Sequence, residues 1–363
     1  MEYLILIFTI HFIIGLILEN IPSKPIAYFF NAILILIVFV FMLGIRYTAD
    51  WDMYYLFFKQ QNEKTDFIFY TLSKLFAKYH YNYNDLYSFH IVMIVIIYYI
   101  LITRFSRHFF YIFLAYITLD YVHFTNQIRY YLGFPILMIG FYYLFYKKKY
   151  IFSILLIILS ILCHSALSIL LIFIPIYFIP KKKYFTYILR ISLFVFVIVY
   201  YIFNTGLGKV LQHFGAYLEK DNVSSFVGGL FNALPYIFYL LFLILISRKL
   251  LKKYDRADNP TFEFVFKITF FSFIFLPGAL ILQIVGHRYL FPFAIFWIIY
   301  FLYLIQPLPN KEKFKYFFMF FLLNVLCGFT IYILPDVLNI DNLFMKELKH
   351  TMKSINYLRG YFY

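Results

Sequence analysis

Charge is scarce in this chain, and acidic charge most of all. Only 13% of its 363 residues are charged, and 17 Asp+Glu stand against 32 Lys+Arg. Soluble domains carry about 25% charge, so a soluble enzyme or nucleic-acid-binding domain is a poor reading. Disorder is excluded too, because 64% of the residues are apolar. Cysteine is nearly absent. The two present, Cys163 and Cys327, both lie in apolar segments, which leaves no disulfide or zinc framework. What the chain does have is aromatic residues, at 25%, and long apolar runs separated by short basic ones. The net charge of +15 would suggest nucleic acid in a soluble protein. Here the basic residues sit between apolar stretches, as in the cytoplasmic loops of a polytopic membrane protein. The chain opens Met1-Glu2 with no basic n-region, and no small-residue cleavage pattern follows, so the first helix is expected to remain. Ile, Phe, Tyr, Lys and Asn are heavily used, as an AT-rich coding sequence would dictate. The aromatic content alone is therefore weak evidence of function.

A membrane-spanning helix needs about 20 apolar residues. Hydropathy gives about twelve candidates, near 3–19, 27–44, 86–103, 108–121, 128–146, 150–163, 165–180, 185–203, 233–247, 264–284, 287–305 and 315–333. The stretches 108–121, 150–163 and 165–180 are short, as a re-entrant or cavity-lining pair would be. The expected fold is all-α and polytopic, with residues 1–363 forming a single integral membrane domain.

The connections orient it. Basic runs fall at Arg104/Arg107, Lys147–Lys149, Lys181–Lys183, Arg248–Arg256 and Lys311–Lys315. With twelve spans all of them lie on one side, which the positive-inside rule makes cytoplasmic. Both termini are then outside. The outer face comprises the loop 45–85, residues 121–127, the Cys163-His164-Ser165 turn, the loop 204–232, Gly286-His287-Arg288 and the amphipathic tail 334–363. Within 45–85, residues 65–79 have the pattern of a helix lying in the membrane interface, and the tail reads similarly.

Polar groups in a bilayer are costly and tend to be functional. Four clusters stand at the outer ends of helices. The first, Arg46 to Tyr55, holds Arg46, Asp50, Trp51, Asp52 and Tyr54. An Arg fork suits phosphate or carboxylate, aromatic faces suit sugar rings, and a carboxylate can take a proton from a hydroxyl. The bland alternative is an interfacial aromatic belt with a local salt bridge. Asp50-x-Asp52 also has the form of a metal site for nucleotide sugars, but those are cytoplasmic and this stretch is read as outer. The second cluster, Thr125 to Tyr131, sets Arg129 and Tyr130 at a helix start, where the dipole favours an anion. The third is His164 in its turn, read otherwise as a structural histidine bonded to backbone. The fourth is Arg288 in Gly286-His287-Arg288-Tyr289, read as opening the eleventh span. A snorkelling side chain is the alternative for either Arg. Together they describe an outward-facing site for a substrate bearing a pyrophosphate and hydroxyls.

These residues resemble the Wzy-type polysaccharide polymerases, in the EpsG-like branch. The resemblance rests on Arg46 with Asp50-Trp51-Asp52-Met53-Tyr54, on Asn126-Gln127-Ile128-Arg129, on Cys163-His164-Ser165-Ala166-Leu167, and on Arg288-Tyr289. It covers most of the chain in order and spacing. The family often has a Gly before the Asp-Trp pair and more residues between Arg and Asp. This sequence has Thr48-Ala49 there, which leaves open whether Asp50 or Asp52 holds the family's Asp position.

The resemblance implies a GT-C-like, multi-helix glycosyltransferase, inverting or retaining, of a bacterial inner membrane. It would move a growing glycan from polyprenyl pyrophosphate onto the next lipid-linked repeat unit, on the periplasmic or outer face, with no cofactor and no metal. Arg129, Arg288 and Arg46 would take the pyrophosphate. His164 is the first choice of base, with Asp50 or Asp52 second. Trp51, Tyr54 and Tyr130 would stack on sugars. The partners implied are the polyprenyl-pyrophosphate-linked oligosaccharide, the bilayer and a chain-length co-polymerase, with no nucleic acid. A flippase or an O-antigen ligase for the same lipid-linked units, or a membrane O-acyltransferase, are the rival readings.

Overall fold

A backbone in lipid has to satisfy its own hydrogen bonds, and for a long apolar run the helix is the simplest way to do so. The computed structural model describes residues 50–61, 66–205, 226–253 and 259–334, with a few isolated positions between 25 and 39. Among the described residues 89% are helical and none is in a strand. Every apolar stretch expected between 86 and 333 is occupied by helix. Six segments are long and apolar enough to cross a membrane: Tyr83–Phe105, Ile128–Phe145, Gly228–Leu251, Pro260–Ile281, Ile284–Ile305 and Asn310–Ile331. Tyr150–Cys163 and Ser165–Tyr177 are apolar and shorter, as their sequences suggest. Leu193, Phe194, Leu245, Ile151 and Leu155 lie exposed along their helices. Such surfaces suit lipid contact rather than water. The chain is a multi-pass membrane protein. The expected span 3–19, Arg46, most of 27–44 and of 204–232, and all but the first residue of 334–363 lie outside the described residues.

The described residues form two compact units, one up to Leu171 and one from Ile172. In the first, α1 (Trp51–Gln60) and α2 (Phe67–Lys78) precede the long α3 (Tyr83–Phe105). Then come α4 (Phe109–Asn126), α5 (Ile128–Phe145) and α6 (Tyr150–Cys163). The sequence reading had α2 as a helix but left α1 within a loop. The Asp50–Tyr55 stretch is too polar to register as apolar periodicity, yet Trp51 and Tyr54, one turn apart, give α1 a buried face.

A close approach fixes α5 against α6. A Cβ on Gly133 would lie 2.5 Å from Leu167 Cδ1 and 2.9 Å from the Ser160 carbonyl oxygen. One on Gly140, seven residues on, would meet Ile157 at 3.2 Å. Ser153 donates to the Gly140 carbonyl at 2.9 Å across the same seam. Small residues let membrane helices approach this closely. Here the approach brings the start of α5 beside the turn after α6.

The second unit packs around rings. Trp297 stacks on Phe273 at 5.1 Å, and Phe301 on Phe320 at 4.4 Å. Its buried polar groups bond to one another: Trp297 Nε1 donates to Ser272 Oγ at 3.0 Å, and Tyr239 donates to Asn324 Oδ1.

Candidate functional site

The turn between α4 and α5 is one residue long. Gln127 leaves helical geometry, its N–H closes α4 on the His123 carbonyl, and its carbonyl accepts the Tyr131 N–H that opens α5. Arg129 therefore stands in the first turn of α5, as its sequence suggests. Its guanidinium lies over the ring of Tyr54, 4.8 Å from the centroid, with Phe69 at 5.7 Å and Phe57 at 5.8 Å. Rings around a guanidinium attract the cation and exclude water.

The carboxylate facing Arg129 is Asp66, which the sequence reading did not single out. Arg129 NH1 donates to Asp66 Oδ2 at 2.7 Å, and both side chains are nearly buried. The other carboxylate oxygen accepts the Ser165 backbone N–H at 3.1 Å. His164 Nδ1 lies 3.8 Å from Asp66 Oδ2 and accepts the Ala166 N–H at 3.3 Å. The His164 ring meets Tyr130 edge to face at 5.5 Å. One carboxylate thus ties together an arginine 63 residues away and a turn 99 residues away.

The local sequence disguises Asp66. An Asp just before an amphipathic apolar run reads as a helix N-cap, whose oxygen would accept N–H groups of the first turn. Asp66 does occupy the N-cap position of α2, but its side chain makes no capping bond. A cap residue that does not cap has its acceptor capacity directed elsewhere, which only the fold reveals.

Asp50 and Trp51 border this cluster. The Asp50 N–H donates to Asn126 Oδ1 at 2.8 Å, joining the start of α1 to the end of α4. Trp51 is buried against Tyr83 at 4.8 Å and Tyr87 at 5.0 Å. Tyr87 in turn donates to the Thr125 carbonyl at 3.3 Å. Tyr54 and Tyr130 are buried as well. Of the two candidate acids, Asp50 is half-buried and Asp52 is exposed. The structure brings together Arg129, His164, Tyr54 and Tyr130, with Asp50 and Trp51 alongside. Arg46 lies outside the described residues.

Arg288 belongs to the second unit and lies near the opening of the segment Ile284–Ile305, as its sequence suggests, but not at a helix start. It lies in the last turn of a short helix, Gln283–Tyr289. The cause is Pro292. Continuing the helix would require an N–H at position 292 to bond the Arg288 carbonyl, and proline has none. The chain passes instead through a short 3₁₀ turn, Phe291–Phe293, into Ala294–Ile305. At a helix end the dipole already favours a cation.

Among the buried donors of the first unit that lack an acceptor among the described residues, Arg129 Nε and Asn126 Nδ2 belong to this cluster. Buried donors left unpaired are costly, and both suit a ligand rich in acceptor oxygens. An Arg with its Nε unpaired among the described residues, above aromatic rings and near a histidine, can bind a phosphate oxygen beside a group that handles a proton.

A model of the EpsG family matches residues 27–346, a range that includes Asp50, Asp66, Arg129, His164 and Arg288. No curated protein and no solved structure matches the chain.

Proposed function

The chain belongs to the EpsG family, the EpsG-like polysaccharide polymerases, and from that premise we propose that it polymerises lipid-linked repeat units. The growing glycan leaves polyprenyl pyrophosphate and is joined to the non-reducing-end hydroxyl of the next lipid-linked unit. The observation that carries this reading is the convergence of Arg129 and His164 on one carboxylate from distant parts of the chain.

In the step proposed, the acceptor hydroxyl oxygen attacks the anomeric carbon and the bond to the pyrophosphate oxygen breaks. The hydroxyl proton passes to His164, with Asp50 ahead of the exposed Asp52 as the second choice of base. Arg129 stabilises the charge growing on the leaving oxygen, and loss of one such donor typically costs about 10²–10³ in rate. Arg46 is the further pyrophosphate ligand of this reading. Tyr54 is the platform under Arg129, and Trp51 and Tyr130 are the aromatic walls for the sugars. With about twelve spans and the basic loops cytoplasmic, the site faces the periplasm or exterior of a bacterial inner membrane. The lipid tail lies against the apolar helix surfaces.

The test uses purified protein in detergent with a synthetic polyprenyl-pyrophosphate repeat unit and nothing else. The wild type should give a ladder on a gel, and Arg129→Ala should give none at equal expression. A normal ladder from Arg129→Ala contradicts the assignment. No ladder from the wild type, with movement of the unit across a vesicle membrane instead, makes the protein a flippase.

A further inference from the structure

The bonds of Asp66 point to a role the catalytic scheme leaves open. Its two oxygens are spent on groups from distant parts of the chain: Oδ2 on Arg129 NH1 at 2.7 Å, and Oδ1 on the Ser165 N–H at 3.1 Å. Its position at a helix N-cap gives it a rigid base, yet it caps nothing. The guanidinium is held at NH1, and its Nε is buried and without a partner among the described residues. The imidazole is turned with Nδ1 toward Asp66 and the Ala166 N–H.

We infer that Asp66 is a positioning residue, resting on the polymerase reading above. Its carboxylate holds the guanidinium that receives the pyrophosphate and the turn that carries the proton acceptor in register. It touches neither reacting atom. Its charge also offsets that of Arg129, so the site holds its arginine ordered without substrate, where an unpaired buried cation would be strongly disfavoured. Reactive groups displaced by as little as 1 Å can lose about 10²-fold in rate, and Asp66 prevents that displacement.

The experiment has two arms, both on the full chain in detergent. In the first, Asp66→Asn keeps the shape and removes the charge. Its kcat for ladder formation should fall about 10²-fold, with KM for the lipid-linked unit within about threefold, since the donors to the pyrophosphate remain. An unchanged kcat, or a loss confined to KM, overturns the inference. The second arm needs no activity. Hydrogen exchange is followed on the peptide spanning 163–167 in the wild type and in Arg129→Ala. Arg129 is linked to the Ser165 N–H through Asp66, and the Tyr130–His164 ring contact is left in place by the substitution. Exchange there should run about tenfold faster once the carboxylate loses its anchor. Unchanged exchange overturns the inference. Arg129→Met, which keeps the bulk and removes every donor to Asp66, replaces Arg129→Ala if the alanine variant does not fold. If the wild type forms no ladder, the polymerase reading fails and the exchange arm still decides the role of Asp66. If the ladder forms and the exchange is unmoved, the polymerase reading stands without it.

Discussion

Among the described residues, Lys267 and Arg129 are largely buried and each pairs with a carboxylate, in opposite ways. Lys267 meets Glu263 at 2.7 Å, one turn away on the same helix. It also donates to the Tyr177 carbonyl at 2.7 Å and lies 4.5 Å from the centre of that ring. The ammonium takes its carboxylate from its own helix and a carbonyl from 90 residues back. Arg129 draws its carboxylate from 63 residues away, shares it with the His164–Ser165 turn, and has a donor, Nε, without an acceptor among the described residues. A pair at i and i+4 forms with its helix and closes no loop. A long-range pair costs loop-closure entropy and holds only where the surrounding packing imposes it. Charge burial alone therefore does not mark a site. Long-range convergence with unspent capacity does.

The contrast can be broken or sharpened by substitution. The largest effect is expected at Arg129, where alanine should reduce ladder formation at least 10²-fold. Lys267→Met should instead cost about 1–3 kcal/mol of stability, chiefly through the Tyr177 carbonyl it leaves unpaired. Its Glu263 partner is one-third exposed and can be rehydrated. Unfolding in a denaturant series separates the two cases. Next is Gly133→Leu, which forces atoms into the Ser160 carbonyl and the Leu167 side chain. Overpacking of this kind costs about 1–3 kcal/mol, and it should lower polymer yield by displacing the His164 turn. A variant of full activity and stability would mean that the α5–α6 contact does not set the site. Tyr54→Leu removes the ring under Arg129 and should cost about 0.5–2 kcal/mol, with KM rising more than kcat falls. The smallest effect is expected at exposed Asp52, where Asn should change stability by no more than about 0.5 kcal/mol and leave the ladder intact. A dead Asp52→Asn protein with a normal unfolding curve would transfer the acid–base role to that carboxylate.

How much of this was legible in the sequence depended on the kind of interaction. Helices between 86 and 333 were legible because lipid and core both select apolar runs. Arg129 at a helix start and His164 in a turn between short helices were legible because both positions are local. Asp66 was not, because its partners lie 63 and 99 residues on and its own neighbourhood reads as a cap. Helix α1 was missed because its buried face is two aromatic residues in a polar stretch. The setting of Arg288 was in principle readable, since Pro292 four residues later removes the N–H its carbonyl would need. The division into two units had no mark in composition or loop length.

The most direct test sets two proteins side by side in the ladder assay, Arg129→Ala and Lys267→Met, each folded in detergent with the synthetic lipid-linked unit. The account predicts no ladder from Arg129→Ala and a ladder of near wild-type length from Lys267→Met. A ladder from Arg129→Ala with none from Lys267→Met would contradict it, placing the chemistry at the local pair and making the long-range one the scaffold.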